Sequence, residues 1–111
     1  MKRIPDDKQK EFQSKQKEIY PLLASALLKI IPEHWTSADL DLITGKEEIA
    51  HSISNKDGNK DIVTPSMELF TETRKLELLF REYDCMWAKA KFKVYWNESV
   101  ESWDYSIDYQ Y

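Results

Sequence analysis

A chain of 111 residues has room for one hydrophobic core rather than two, and with 41% hydrophobic and 13% aromatic residues it can build that core without staples. The 20 acidic residues against 16 basic ones give a net charge of −4, which disfavours a nucleic-acid binder, since phosphate contacts need a basic stripe. One cysteine, Cys85, excludes an internal disulfide and fits a reducing compartment, and two glycines are too few for a phosphate-cradling loop.

The start of the chain, MKRIPDDKQK, stays polar as far as Ile19, whereas a secretory signal needs an apolar run directly behind its basic residues. The most apolar stretch, Ile19 to Ile31, is too short and too interrupted to span a bilayer, so the expected location is the cytoplasm, with no membrane partner. Residues 6–31 read as helix. Phe12, Ile19, Leu23, Leu27 and Ile30 form an apolar stripe, and the acid-before-base pairs Asp6–Lys10 and Glu11–Lys15 support the exposed side. Pro21 either kinks this helix or begins a second one, and Pro32 stops it.

Three short strands are predicted next. Ala38, Leu40 and Leu42 alternate with Ser37, Asp39 and Asp41, a turn follows at Gly45, and Ile49, His51 and Ile53 alternate again. Asn55-Lys56-Asp57-Gly58-Asn59 is turn chemistry, with Asp61 to Thr64 as the returning strand. Thr64-Pro65 then reads as an N-cap and first helical residue, and Leu69, Thr73, Leu76, Phe80 and Tyr83 step round a second helix with Glu77–Arg81 on its solvent side. In Trp87 to Trp96, Lys89, Lys91 and Lys93 alternate with apolar residues. In 102–111, Trp103, Tyr105, Ile107, Tyr109 and Tyr111 alternate with polar ones. With Asn97-Glu98-Ser99 as the turn, pairing Trp96 with Trp103 puts Lys91 opposite Asp108. The predicted fold is therefore α+β: one domain spanning 1–111, with two main helices on a largely antiparallel sheet of about five strands, in the order α-β-β-β-α-β-β.

No catalytic, cofactor or metal site can be assembled from these residues. His34, His51 and Cys85 share no ligand spacing, and His51 on the inward side of its strand reads as a hydrogen-bonded core or interface residue. Cys85, between a helix and a strand beside Met86 and Trp87, reads as a buried thiol rather than a nucleophile. Trp87, Trp96 and Trp103 fall in strand pattern and are expected in the core, while Trp35 either closes the end of the core or stands at the surface.

The acidic segments are the candidate binding residues. Residues 98–108 hold Glu98, Glu101, Asp104 and Asp108 with no lysine or arginine, and residues 39–48 hold Asp39, Asp41, Glu47 and Glu48 against Lys46 alone. Such patches steer a basic partner, although Asp104 and Asp108 also face the lysine strand.

Three segments carry a resemblance: Ile30-Ile31-Pro32-Glu33-His34-Trp35, the helix end Leu79-Phe80 followed by Trp87, and Trp103-Asp104-Tyr105-Ser106-Ile107-Asp108-Tyr109. Together they resemble the YezG-type immunity proteins, small bacterial antitoxins that protect a cell from a secreted nuclease toxin, and the general plan is similar to immunity proteins of contact-dependent growth inhibition. The resemblance implies a non-enzymatic toxin inhibitor whose partner is a cognate nuclease domain with a basic surface. The first-choice contact residues are Glu98, Glu101, Asp104 and Asp108, and the second choice Asp39, Asp41, Glu47 and Glu48. The alternative is a non-catalytic adaptor that binds another protein through a sheet edge or the aromatic strand.

Overall fold

The first predicted helix forms as α1 (Asp6–Leu28), in a computed structural model that describes residues 6–55 and 62–111. Phe12, Ile19, Leu23, Ala26 and Leu27 make its buried stripe. The helix runs through Pro21 instead of restarting there, and the cost is that the Lys17 carbonyl loses its intrahelical donor. It stops three residues before Ile31. The Lys29 and Ile30 amides donate back to the Ser25 and Leu27 carbonyls, and the Pro32 carbonyl accepts from Trp35. Trp35, 2% exposed, closes the end of the core.

The alternating segments form β1 (Ser37–Thr44) and β2 (Ile49–Ser54), paired antiparallel with Leu40 opposite Ile53 and Leu42 opposite His51. The Gly45 amide donates to the Glu48 carbonyl at 2.8 Å and closes the turn. A Cβ on Gly45 would stand 3.1 Å from that same oxygen, so the close approach favours glycine. After β2, the buried Asn55 side chain donates to the Ser37 carbonyl at 2.8 Å. The rest of the predicted turn, Lys56 to Asn59, and Asp61 lie outside the described residues. Ile62 to Thr64 do not form the predicted returning strand. Ile62 is 94% exposed and Val63 is only partly covered by the core, and among the described residues the sheet has four strands rather than five.

The second helix, α2 (Met67–Glu82), starts later than Thr64-Pro65 predicts. Ser66 is the N-cap: its backbone is extended and its hydroxyl accepts from the Leu69 amide at 3.2 Å. Ser66→Ala is expected to cost about 1 kcal/mol of stability, read from the urea midpoint. Leu69, Thr73, Leu76 and Phe80 are buried as their spacing predicts. Glu77 is not on the solvent side. It is 7% exposed and lines a groove with Glu48, Ile49 and His51, where Arg74 and Arg81 donate to its carboxylate at 2.8 and 2.9 Å. The two helices run antiparallel. Lys29 pairs with Glu68 at one end (2.9 Å), and Phe12 packs on Phe80 and Tyr83 at the other.

The last two strands, β3 (Lys89–Asn97) and β4 (Ser102–Gln110), pair in the predicted register, Trp96 opposite Trp103 and Lys91 opposite Asp108. The sheet order is β2-β1-β3-β4, all neighbours antiparallel, so the molecule is α+β with both helices on one face. On that face Ala38, Leu40, Leu42, Ala90, Phe92 and Val94 are fully buried. Phe80 reaches across to Trp87 and Tyr109 with ring centroids 4.9 and 4.7 Å away.

Candidate functional site

A period of two along each strand sends every second side chain to the face away from the helices. On that open face the register aligns Asp41, Lys91 and Asp108 in one row and Asp39, Lys93 and Ser106 in the next, while Tyr95 stands opposite Asp104. The acids of β1 therefore sit beside lysines. Asp39 Oδ1 is 3.9 Å from Lys93 Nζ, and Asp41 lies on the other side of Lys91 from Asp108.

At the end of the β3–β4 hairpin, Asn97 Nδ2 donates to Asp104 Oδ2 at 2.8 Å while Asn97 Oδ1 accepts from the Ser99 amide at 3.0 Å. One side chain thus fixes both the loop and the carboxylate. Glu101 closes the loop with φ of 50°, a left-handed conformation that a glutamate seldom adopts and that the hairpin imposes.

Topology divides the eight predicted residues. β3 is antiparallel to β1, so the loop carrying Glu98 and Glu101 lies at the opposite end of the sheet from the turn carrying Glu47 and Glu48. Asp39, Asp41 and Asp108 belong to the lysine rows between. What remains at the hairpin end is Glu98, Glu101 and Asp104, on a segment whose residues 98–111 contain no lysine or arginine. Three of the first-choice residues lie at the hairpin end of the sheet, Asp108 stands in the Lys91 row, and the second-choice residues divide between the far turn and the lysine rows.

An aromatic patch, missed by the pattern reading, borders this acidic strand. Trp96 is 40% exposed rather than buried, Trp103 is half-buried, and their rings meet edge-to-face at 5.9 Å. Tyr105 is 39% exposed beside them, over a shallow groove against α1 lined by Pro21, Ala24 and Leu28. Alternation tells which side of a strand faces the helices but not how far the helices reach, and here they leave the hairpin end bare. The signal that could have found the patch is two tryptophans flanking a hairpin turn, because tryptophan is enriched where one protein grips another.

No protein-family model matches the chain, and no curated protein is significantly similar to it.

Tyr20 and Tyr109 hydroxyls meet at 2.7 Å and Gln16 donates to Tyr20, tying α1 to β4, with burial raising the Tyr20 hydroxyl to about 12. Cys85 is 6% exposed, its thiol pushed up by burial and directed at the Phe80 carbonyl. Among the described residues no group of three or more His, Cys, Asp or Glu side chains could hold a metal ion, and no helix is long and apolar enough to cross a membrane.

His51 and Glu77 make stability respond to acid in two separate windows. The His51 ring packs edge-on against Phe70 at 4.8 Å, Nδ1–H donates to the Ile49 carbonyl at 3.0 Å, and burial holds its pKa below the ordinary value. The unfolded chain then takes up this proton more readily, so stability falls as the pH drops below about 6.5. Burial pushes the Glu77 carboxyl up, but hydrogen bonds from Arg74 and Arg81 more than offset that and hold it below the usual carboxylate value. Its stabilisation persists above about pH 4.5 and is lost as pH falls through the lower folded value. Urea midpoints between pH 7.5 and 5.5 should therefore fall less in His51→Phe than in the parent, while Glu77→Gln should flatten only the loss below pH 4.5.

Proposed function

We propose that this chain is a cytoplasmic immunity protein that binds and neutralises a bacterial nuclease toxin, of the YezG type or of the similar contact-dependent growth inhibition type. The observation that carries this role is the acidic hairpin of Glu98, Glu101 and Asp104, with Asp108 further along the same edge strand and without a single basic residue in 98–111. A nuclease must hold phosphates and therefore presents a basic cleft. An acidic protein laid over it excludes nucleic acid by both charge and shape. The exposed aromatics at the same end of the hairpin, on the helix side of the strand, supply what charge alone lacks, apolar area that holds the complex once it has formed. The resemblance of Ile30–Trp35 and Trp103–Tyr109 to immunity-protein segments points the same way. No catalytic step is assigned to the chain.

The decisive experiment is co-purification of the tagged protein from its native cells, followed by mass spectrometry. One stoichiometric partner with a basic domain, retained in moderate salt and losing its nuclease activity when bound, is the expected result. Recovery of several non-basic partners would replace the immunity role with that of an adaptor, for which Trp96 and Tyr105 would serve equally well.

A further inference from the structure

The edge of the sheet at β4 is unpaired in a regular way. The Trp96 amide donates to the Thr36 carbonyl at 2.8 Å, and the Gln110 carbonyl of β4 accepts from the Ala88 amide just ahead of β3 at 2.7 Å. In an antiparallel ladder the N–H and C=O of one residue address the same neighbour, and the side addressed alternates along the strand. Even-numbered residues of β3 therefore bond to β1, and odd-numbered ones to Asp104, Ser106, Asp108 and Gln110 of β4. The N–H and C=O groups of Trp103, Tyr105, Ile107 and Tyr109 point out of the sheet, where no strand pairs with them among the described residues.

Natural sheets guard such edges with proline, lysine, bulges or short length. Ser102–Gln110 is nine residues long, has neither proline nor lysine, and carries two aspartates as its only charges. Asp104 and Asp108 lie on one face four residues apart, a span of roughly 13 Å. On the other face Tyr105 is 39% exposed and Ile107 only partly covered.

We propose that β4 is a docking strand: an extended segment of a basic partner protein adds beside it as a fifth strand, with Lys or Arg side chains four residues apart facing Asp104 and Asp108 and apolar side chains over Tyr105 and Ile107. This deepens the toxin-binding role and rests on it for the partner's identity. β3 already satisfies the same pattern from the inner side, with Lys91 opposite Asp108 and Phe92 opposite Ile107. Charge selects against a second copy of this chain in the most symmetric register. Pairing β4 with its copy about Ser106 would set each Asp104 against an Asp108, and like charges directly opposite are destabilising.

The test uses the full ¹⁵N-labelled chain and a synthetic, end-capped nonapeptide of alternating Thr and Val with Lys at its third and seventh positions. Hydrogen exchange should show new protection at the Tyr105 and Ile107 amides, and none at His51 and Ile53 on the β2 edge. Tyr105→Pro removes an outward N–H and leaves the β3 bonds intact, so it should weaken the peptide at least about tenfold. Should that variant unfold, Asp104→Asn with Asp108→Asn keeps the Asn97 hydrogen bond and should weaken it about fivefold. No protection at the peptide's solubility limit, protection on the β2 edge, or equal binding of a peptide with Glu in place of Lys would each overturn the proposal. So would protection that rises with protein concentration without peptide, which would identify a second copy as the occupant. A toxin that co-purifies equally well with Tyr105→Pro would refute the docking strand and leave the toxin-binding role standing. A peptide that binds β4 when no basic partner co-purifies would do the reverse.

Discussion

Phe80→Ala is expected to lower the unfolding free energy by about 3–5 kcal/mol, the range for a large aromatic removed from a core that cannot collapse round the space. Phe80 is fully buried and its ring meets three others, each from a different part of the chain. Phe12 of α1 lies at 5.0 Å, Trp87 before β3 at 4.9 Å and Tyr109 of β4 at 4.7 Å. Two of these contacts are edge-to-face, the arrangement that adds about 0.5–1.5 kcal/mol beyond burial. Because the neighbours come from separate elements, no single shift refills the void. A domain of this size has only about 5–15 kcal/mol of stability to lose, so the melting temperature should drop by roughly 15–25 °C. Phe80→Leu keeps most of the volume and should cost under about half as much. Equal losses for Leu and Ala would mean that ring stacking, rather than filled volume, holds the site together. The readout is a urea or thermal unfolding curve of each variant.

The contrast between Phe80 and Trp96 shows what periodicity encodes. Leu69, Thr73, Leu76 and Phe80 occupy helical steps on one face, and burial followed from that spacing. The β3–β4 register was equally legible, because Trp96 against Trp103 is the pairing that puts aromatics with aromatics and lysines near aspartates, and a one-residue slip would invert every side chain. Trp96 obeys the same alternation and still stands exposed, because alternation is local and coverage is tertiary. Glu77 fails in the opposite sense. A charged residue beside an arginine one turn on reads as solvated, yet the β1–β2 turn lies over that flank of α2, and the two arginines make burial tolerable. The start of α2 was ambiguous for a chemical reason: Thr64 and Ser66 both have capping hydroxyls, and only geometry decides which one meets an amide. The predicted fifth strand does not form at Ile62 to Thr64, where Val63 turns towards the core and Ile62 and Thr64 are left exposed. For the candidate surface, two acidic segments are legible in the sequence, and only the antiparallel topology shows that Glu98 and Glu101 lie at the opposite end of the sheet from Glu47 and Glu48, with Asp39, Asp41 and Asp108 in the lysine rows between.

That split makes the second large prediction discriminating. Glu98→Lys combined with Glu101→Lys should weaken the toxin complex about 100-fold at low salt, because like charges forced together across an interface cost several kcal/mol. Glu47→Lys combined with Glu48→Lys changes the net charge by the same amount at the far end of the sheet, and should change affinity less than about threefold once long-range steering is screened. The two double variants are matched controls for each other, since a mere effect of net charge would move both equally. Most of the loss in the first should appear in the association rate and shrink as salt shortens the screening length from about 10 Å at 0.1 M to about 3 Å at 1 M. Both pairs are in turns, so stability should stay within about 0.5 kcal/mol of the parent. Asp39 and Asp41 cannot be used in this way. Each faces a lysine on the sheet, so reversal there would set like charges side by side within the fold, and any lost binding would report that damage. If reversal of Glu98 and Glu101 left the complex unchanged while reversal of Glu47 and Glu48 broke it, the partner would have to dock at the β1–β2 turn, against the α2 flank where Arg74 and Glu77 lie. The acidity of β4 would then serve only to keep its open edge from pairing with itself.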